Sequence, residues 1–197
     1  MVKIGFIVEG NTEKIIIDSP QFKAFLKNIG LFAVEPIIDA NGNGNLLPQK
    51  IIPFINQLKK AGADKIVVIT DSDNNTIAQV KKRILPKNAP YTIDLIVVAV
   101  KAIEAWFLAC EDIMKTVLQI PDFSIKFPER TSEAPFDYIK KLTASRKVRG
   151  PGAKPLFAKR VLKSGFSLQQ AAHHPNCPSA ALFLKNLYQI AKYKTAC

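Results

Sequence analysis

Metal-binding sulfur and imidazole are scarce in this sequence. Its 197 residues include two histidines, His173 and His174, and three cysteines, Cys110, Cys177 and Cys197. No CxxC occurs, and His173, His174 and Cys177 match no zinc-ligand spacing, so a structural zinc site is not expected. An odd number of cysteines also argues against a disulfide framework. There is no Gly-rich phosphate loop of the GxxxxGK type, which excludes an ATPase in the chain itself. No apolar run approaches the length of a bilayer span. The opening stretch, Met1 to Gly10, reads into a buried strand and lacks the small-residue cleavage site of a signal peptide. A soluble, cytoplasmic protein with no membrane partner is the expectation.

Acidic residues are also in short supply. Lys plus Arg number 28 against 16 Asp plus Glu, a formal net charge of +12. The first 100 residues hold 12 basic and 9 acidic side chains, and the remainder 16 and 7. From Tyr138 to Lys163 there are nine basic residues and no acidic ones. Such a field attracts phosphates and points to DNA or RNA, although a solubilising lysine face has the same composition. Arg146, Lys147, Arg149 and Lys154 flank a Gly-Pro-Gly loop and are the candidate phosphate contacts. Lys159, Arg160 and Lys163 follow, and they fit a solvated helix face equally well.

Apolar residues make up 48% of the chain and are patterned. Lys3–Val8, Leu31–Asp39, Lys65–Thr70 and Tyr91–Val100 read as strands, with the third a central parallel one and Pro36 putting the second at an edge. Helical spacing predicts helices over Glu13–Ile29, Leu47–Ala61, Asn75–Ile84 and Lys101–Leu118. Thr12 caps the first, and Pro20 either kinks it or starts a new helix capped by Ser19. Phe136–Ala144, Lys154–Leu162 and Ser179–Lys192 are further helices. Strands alternating with helices predict an α/β fold with an open, mainly parallel sheet, flanking helices and a helical C-terminal extension. The organisation expected is an α/β core over 1–120 and a basic, mainly helical extension over 121–197, packed on that core.

In open parallel sheets, ligands bind beyond the carboxyl ends of the strands. Glu9 follows the first strand, Asp71 and Asp73 the third, and Glu104 the last. Carboxylates gathered there suit a hard divalent cation such as Mg2+ or Mn2+. Glu13 lies one helical turn beyond Glu9 and can face the same crevice. Each residue also has an ordinary role: Glu13 and Glu104 as first-turn helix acids, Asp71 and Asp73 as turn or cap residues. Asn41–Asn45 reads as a surface loop.

Val8-Glu9-Gly10 with Glu13, then Asp71-Ser72-Asp73 after an apolar strand, resembles the Toprim fold of topoisomerases, bacterial primases and related nucleases. The resemblance implies a phosphoryl-transfer role for Glu9 and magnesium binding by Asp71 and Asp73. With Ile103-Glu104-Ala105-Trp106-Phe107-Leu108-Ala109 and Cys177-Pro178-Ser179, the chain is similar to a family of small stand-alone Toprim-like proteins. These are related to overcoming-lysogenization-defect nucleases, and the resemblance implies a separate ATPase partner and a phage-defence setting. The expected activity is Mg2+-dependent phosphodiester cleavage of DNA or RNA. Glu9, Glu13 and Glu104 are the catalytic candidates, and Asp71, Asp73 and Glu9 the metal ligands. Two alternatives stay open: an inactive nucleic-acid or ATPase-binding module, and a small-molecule phosphohydrolase or nucleotide-binding protein.

Overall fold

The computed structural model describes residues 1–192, so Cys197 lies outside the described residues. Four strands form one sheet: β1 (Val2–Val8), β2 (Leu31–Asp39), β3 (Lys65–Asp71) and β4 (Leu95–Ala99). Their order is β2-β1-β3-β4 and every neighbouring pair is parallel. Pro36 does lie in an edge strand, and β3 is central.

The strands bury side chains on both faces, as a parallel sheet between helices must. Ile4, Phe6, Val8, Val67, Ile69, Val97 and Ala99 point into the larger core. Their alternates Ile7, Ile66, Val68, Ile96 and Val98 point into a smaller one. The smaller core is closed by α3 (Pro48–Lys60), through Ile51, Ile55 and Leu58, and by α4 (Ile77–Ile84), through Val80 and Ile84. Gly5 permits this approach. A Cβ there would stand 2.9 Å from both Cβ and Cδ1 of Leu58.

The larger core is covered by α1 (Asn11–Ile17), α2 (Pro20–Asn28), α5 (Glu104–Leu108) and α6 (Glu111–Leu118), and by α7 (Pro135–Ser145), α8 (Lys154–Lys163), α9 (Leu168–His173) and α10 (Pro178–Lys192). Trp106 and Phe183 stack at 5.9 Å, and Phe107 meets Phe166 edge-on at 5.1 Å. The C-terminal helices therefore share a core with the sheet. Cys110 and Cys177 are buried free thiols, and burial pushes the Cys110 thiol up to about 12.

Several boundaries differ from the sequence reading. The first helix starts at Asn11 with Gly10 as its N-cap, so Thr12 lies inside it and caps nothing. Pro20 begins a second helix, and the Ser19 hydroxyl accepts from Phe22 N at 3.2 Å. The stretch 101–118 is two helices meeting at Ala109-Cys110. The fourth strand begins at Leu95, later than Tyr91. α9 went unpredicted; it is held by a capping box between Ser167 and Gln170.

Candidate functional site

Parallel pairing brings the carboxyl ends of β1 and β3 side by side, with Val8 opposite Ile69. The strand order reverses direction between these two strands. That switch point is where an open α/β sheet leaves a crevice. Glu9 and Asp71 stand at its two sides. The crevice has a volume of about 320 Å³ and is lined by Glu9, Glu13, Asp71, Glu104 and Lys154, with Gly10 to Thr12, Gly42 and Pro155 completing the wall.

Each acid is positioned by its element. Glu9 Oε2 accepts from the Thr70 hydroxyl and from Asp71 N, the latter at 3.1 Å. Asp71 Oδ1 accepts from Ile103 N at 2.9 Å, which ties the end of β3 to the start of α5. Glu13 comes from the first turn of α1 and is 5% exposed. Glu104 opens α5 and is 1% exposed.

Glu104 is the most unusual of the group. Neither of its buried carboxylate oxygens has a well-formed hydrogen bond. Its ion-pair partner is Lys154, whose Nζ is 3.2 Å from Oε1. Burying an ionised carboxylate without hydrogen bonds is costly, so such a group calls for a further positive partner. Burial, followed by the charges of Glu104 and Glu9, pushes Glu13 up to about 7. Burial and then Glu13, Glu104 and Glu9 hold Asp71 well above the usual carboxylate range. Lys154 feels the opposite field. Burial works against its charge, but Glu104 foremost, then Asp71 and Glu13, leave it above its ordinary value.

The donor set fits a hard divalent cation, which takes oxygen ligands and relieves carboxylate repulsion. Among the described residues, no three His, Cys, Asp or Glu side chains are already drawn together as a metal cage. Magnesium does not require one, since it keeps several waters and binds through one or two carboxylates.

Asp73 does not line the crevice. It is exposed, with a left-handed backbone (φ 50°), and its Oδ2 accepts from Asn43 Nδ2 at 3.4 Å. Ser72, between the two aspartates, is buried, and its Oγ accepts from Lys101 N at 2.7 Å, joining the ends of β3 and β4. His174 is a loop tie: Asn176 N donates to its Nδ1 at 3.1 Å, and its Nε2 lies 3.1 Å from Ile125 O.

The four basic candidates do not share one place. Lys154 is in the acidic crevice. Arg146 is paired with Asp122 at 2.7 Å. Lys147 is an exposed turn residue with φ 52°. Arg149 lines a separate groove with Lys159, Arg160 and Lys163.

Sequence reasoning assigned no site role to Thr70, and none to Glu129. The signal for Thr70 is a hydroxyl interrupting an apolar strand just before Asp71. Glu129 is buried, accepts from Ser179 Oγ at 2.5 Å and Ser179 N at 2.9 Å, and Ser179 Oγ in turn accepts from Trp106 Nε1 at 2.8 Å. This network anchors α5, the helix that presents Glu104. No local pattern marks it, because its bonded partners are 50 and 73 residues apart.

No family model matches the chain, and no curated protein matches it. Among solved structures it is similar to the C-terminal region of the Burkholderia pseudomallei OLD protein, at 15% identity and a TM-score of 0.47, covering 94% of this chain and 98% of that one. It is also similar to the C-terminal region of the Xanthomonas campestris pv. campestris OLD protein, at 15% identity and a TM-score of 0.48, covering 99% of this chain and 98% of that one.

Proposed function

We propose that the chain is a divalent-metal-dependent phosphodiesterase of the nuclease type, acting on DNA or RNA with Mg2+ or Mn2+. The observation that carries this reading is Glu104. A buried carboxylate without hydrogen bonds faces a crevice that already holds Glu9, Glu13 and Asp71, with one lysine against four acids. Asp71 and Glu104 would hold the ion, with Glu9 beside them, while Asp73 lies outside the crevice lining. When bound, a divalent ion supplies charge stabilisation for the attacking and leaving oxygens of an in-line displacement.

The chain's own groups divide the remaining work. Thr70 and Asp71 N fix Glu9, leaving its Oε1 to take a ligand bond or a proton. Glu13, with its pKa lifted to about 7, suits the transfer of a water proton near neutral pH. The water oxygen bonds to phosphorus, one phosphoester bond breaks, and the proton ends on the leaving oxygen. Lys154 pairs with Glu104 and offsets part of the acidic charge in the free chain. Its ammonium, lining the same crevice, would also meet a phosphate oxygen of the substrate.

The test is a cleavage panel of single-stranded DNA, duplex DNA and RNA, with Mg2+ or Mn2+, alone and with an ATPase partner of the kind the Toprim-like resemblance implies. Glu9→Gln keeps an oxygen but removes charge, and is expected to abolish cleavage while binding persists. Wild-type protein that binds nucleic acid and cuts none of these substrates would leave the binding-module alternative as the better reading.

A further inference from the structure

We propose that the groove between the Gly150-Pro151-Gly152 loop and α8 holds the phosphodiester backbone of one nucleic-acid strand and leads it to the acidic crevice. The proposal rests on the nuclease-type reading for its direction, and on the groove itself for the binding.

The groove has a volume of about 360 Å³ and is lined by Arg149, Gly150 to Gly152, Leu156, Lys159, Arg160 and Lys163. Four of these residues are cationic and none is acidic. Among the described residues none of the four cations has a carboxylate partner, whereas Arg146 and Lys154 each do. Their charge is therefore available to an anion from outside.

The helix sets the spacing. Leu156, Lys159, Arg160 and Lys163 follow the i, i+3, i+4, i+7 pattern and form one stripe on α8. Phe157, Ala158, Val161 and Leu162 form the opposite, buried stripe. Seven residues at 1.5 Å each give a stripe about 10 Å long. At about 3.4 Å of axis per nucleotide of one strand, that is about three phosphates.

The loop side is built to let a backbone approach. A Cβ at Gly150 or Gly152 would meet nothing within 4 Å, and Gly152 has a left-handed φ of +78°. Arg160 holds the loop in place: its guanidinium donates to Pro151 O at 3.4 Å and to Val117 O at 2.8 Å. Leu156 is 61% exposed among these cations, an apolar side chain suited to the face of a sugar or base. Its neighbours Lys154 and Pro155 line the acidic crevice, so the same helix end borders both sites.

The experiment measures anisotropy of labelled single-stranded DNA, duplex DNA and RNA of equal length, in EDTA, over a salt series. Arg149→Ala with Lys159→Ala and Lys163→Ala removes three cations and spares Arg160, which holds the loop. For single strands the slope of log affinity against log salt is expected to fall by about 2, from about 0.7 per contact. Lys159→Arg with Lys163→Arg is expected to keep the slope. Lys60→Ala with Lys82→Ala and Lys87→Ala removes three exposed cations elsewhere and is expected to leave it unchanged. An unchanged slope in the first variant, or an equal loss in the last, overturns the proposal. Wild-type cleavage on the same substrates separates the two claims. Cutting with an unchanged slope in the first variant would sink the groove alone. Loss of slope with no cutting under any divalent ion would uphold the groove and sink the nuclease reading.

Discussion

Glu13 and Asp71 ionise against their burial and then against neighbouring carboxylates, Glu104 and Glu9 for Glu13 and Glu13 first for Asp71, and this has a measurable consequence in the metal-free protein. Glu13 has an ordinary value of 4.5 and a folded value of about 7. Between those values the folded chain keeps a proton that the unfolded chain has lost. Stability from this group is therefore full below about pH 4.5 and declines as pH rises through about 7. In EDTA, the melting temperature of the wild type should fall between pH 5 and pH 8 relative to Glu13→Gln, in which the dependence is flattened. Parallel pH curves for the two proteins would contradict the assigned environment. Asp71→Asn keeps the acceptor for Ile103 N and removes a crowded charge. It should raise the melting temperature in EDTA and cancel the rise that the proposed metal site predicts for the wild type with divalent ions. A variant that gains as much from Mn2+ as the wild type does would remove Asp71 from the ligand set.

The packing of α3 on β1 depends on the absence of one methyl group. Gly5→Ala would force Leu58 Cβ away from a 2.9 Å contact that no rotamer change relieves. Overpacking of this kind costs about 1 to 3 kcal/mol. For a chain of this size, thermal unfolding should show a fall of about 2 to 12 °C. A melting temperature within one degree of the wild type would mean that α3 can shift freely on the sheet. Ser179→Ala removes the hydroxyl that Glu129 and Trp106 share, leaving Glu129 the backbone N–H of residue 179 and depriving buried Trp106 Nε1 of its acceptor, at a cost of about 1 to 3 kcal/mol. It should also alter the near-ultraviolet dichroism of Trp106, the one tryptophan. An unchanged spectrum would show that the network does not hold α5. The strands were legible because each is an apolar run closed by a polar residue, as in Ile66–Asp71. The division of α5 from α6 was not, since Ala109-Cys110 contains neither glycine nor proline. The break comes from tertiary packing, with Glu111 turned to accept from Ile125 N at 2.8 Å. Ser19-Pro20 announced its own boundary, because serine caps and proline opens a helix.

Across the whole molecule, the carboxylates were legible and their counter-charge was not. Glu9, Asp71 and Glu104 each follow a strand, and parallel strands place their ends on one edge whatever the details of packing. Lys154 belongs to the same crevice only because α8 packs against α1, and no local pattern encodes that contact. The sequence placed it instead with the phosphate-binding residues of the basic half. The basic residues of α8 are therefore arranged in two ways: Lys154 lines an acidic crevice, and Lys159, Arg160 and Lys163, without a carboxylate partner among the described residues, line the groove on its outer face. The proposed activity requires above all that the crevice hold a divalent cation between Asp71 and Glu104. Titration calorimetry of Mn2+ into the wild type and into Asp71→Asn and Glu104→Gln at pH 8 tests that claim most directly. The account predicts saturable binding by the wild type and at least about tenfold weaker binding by each variant. Heat absent from the wild type, or an affinity unchanged in both variants, would contradict it.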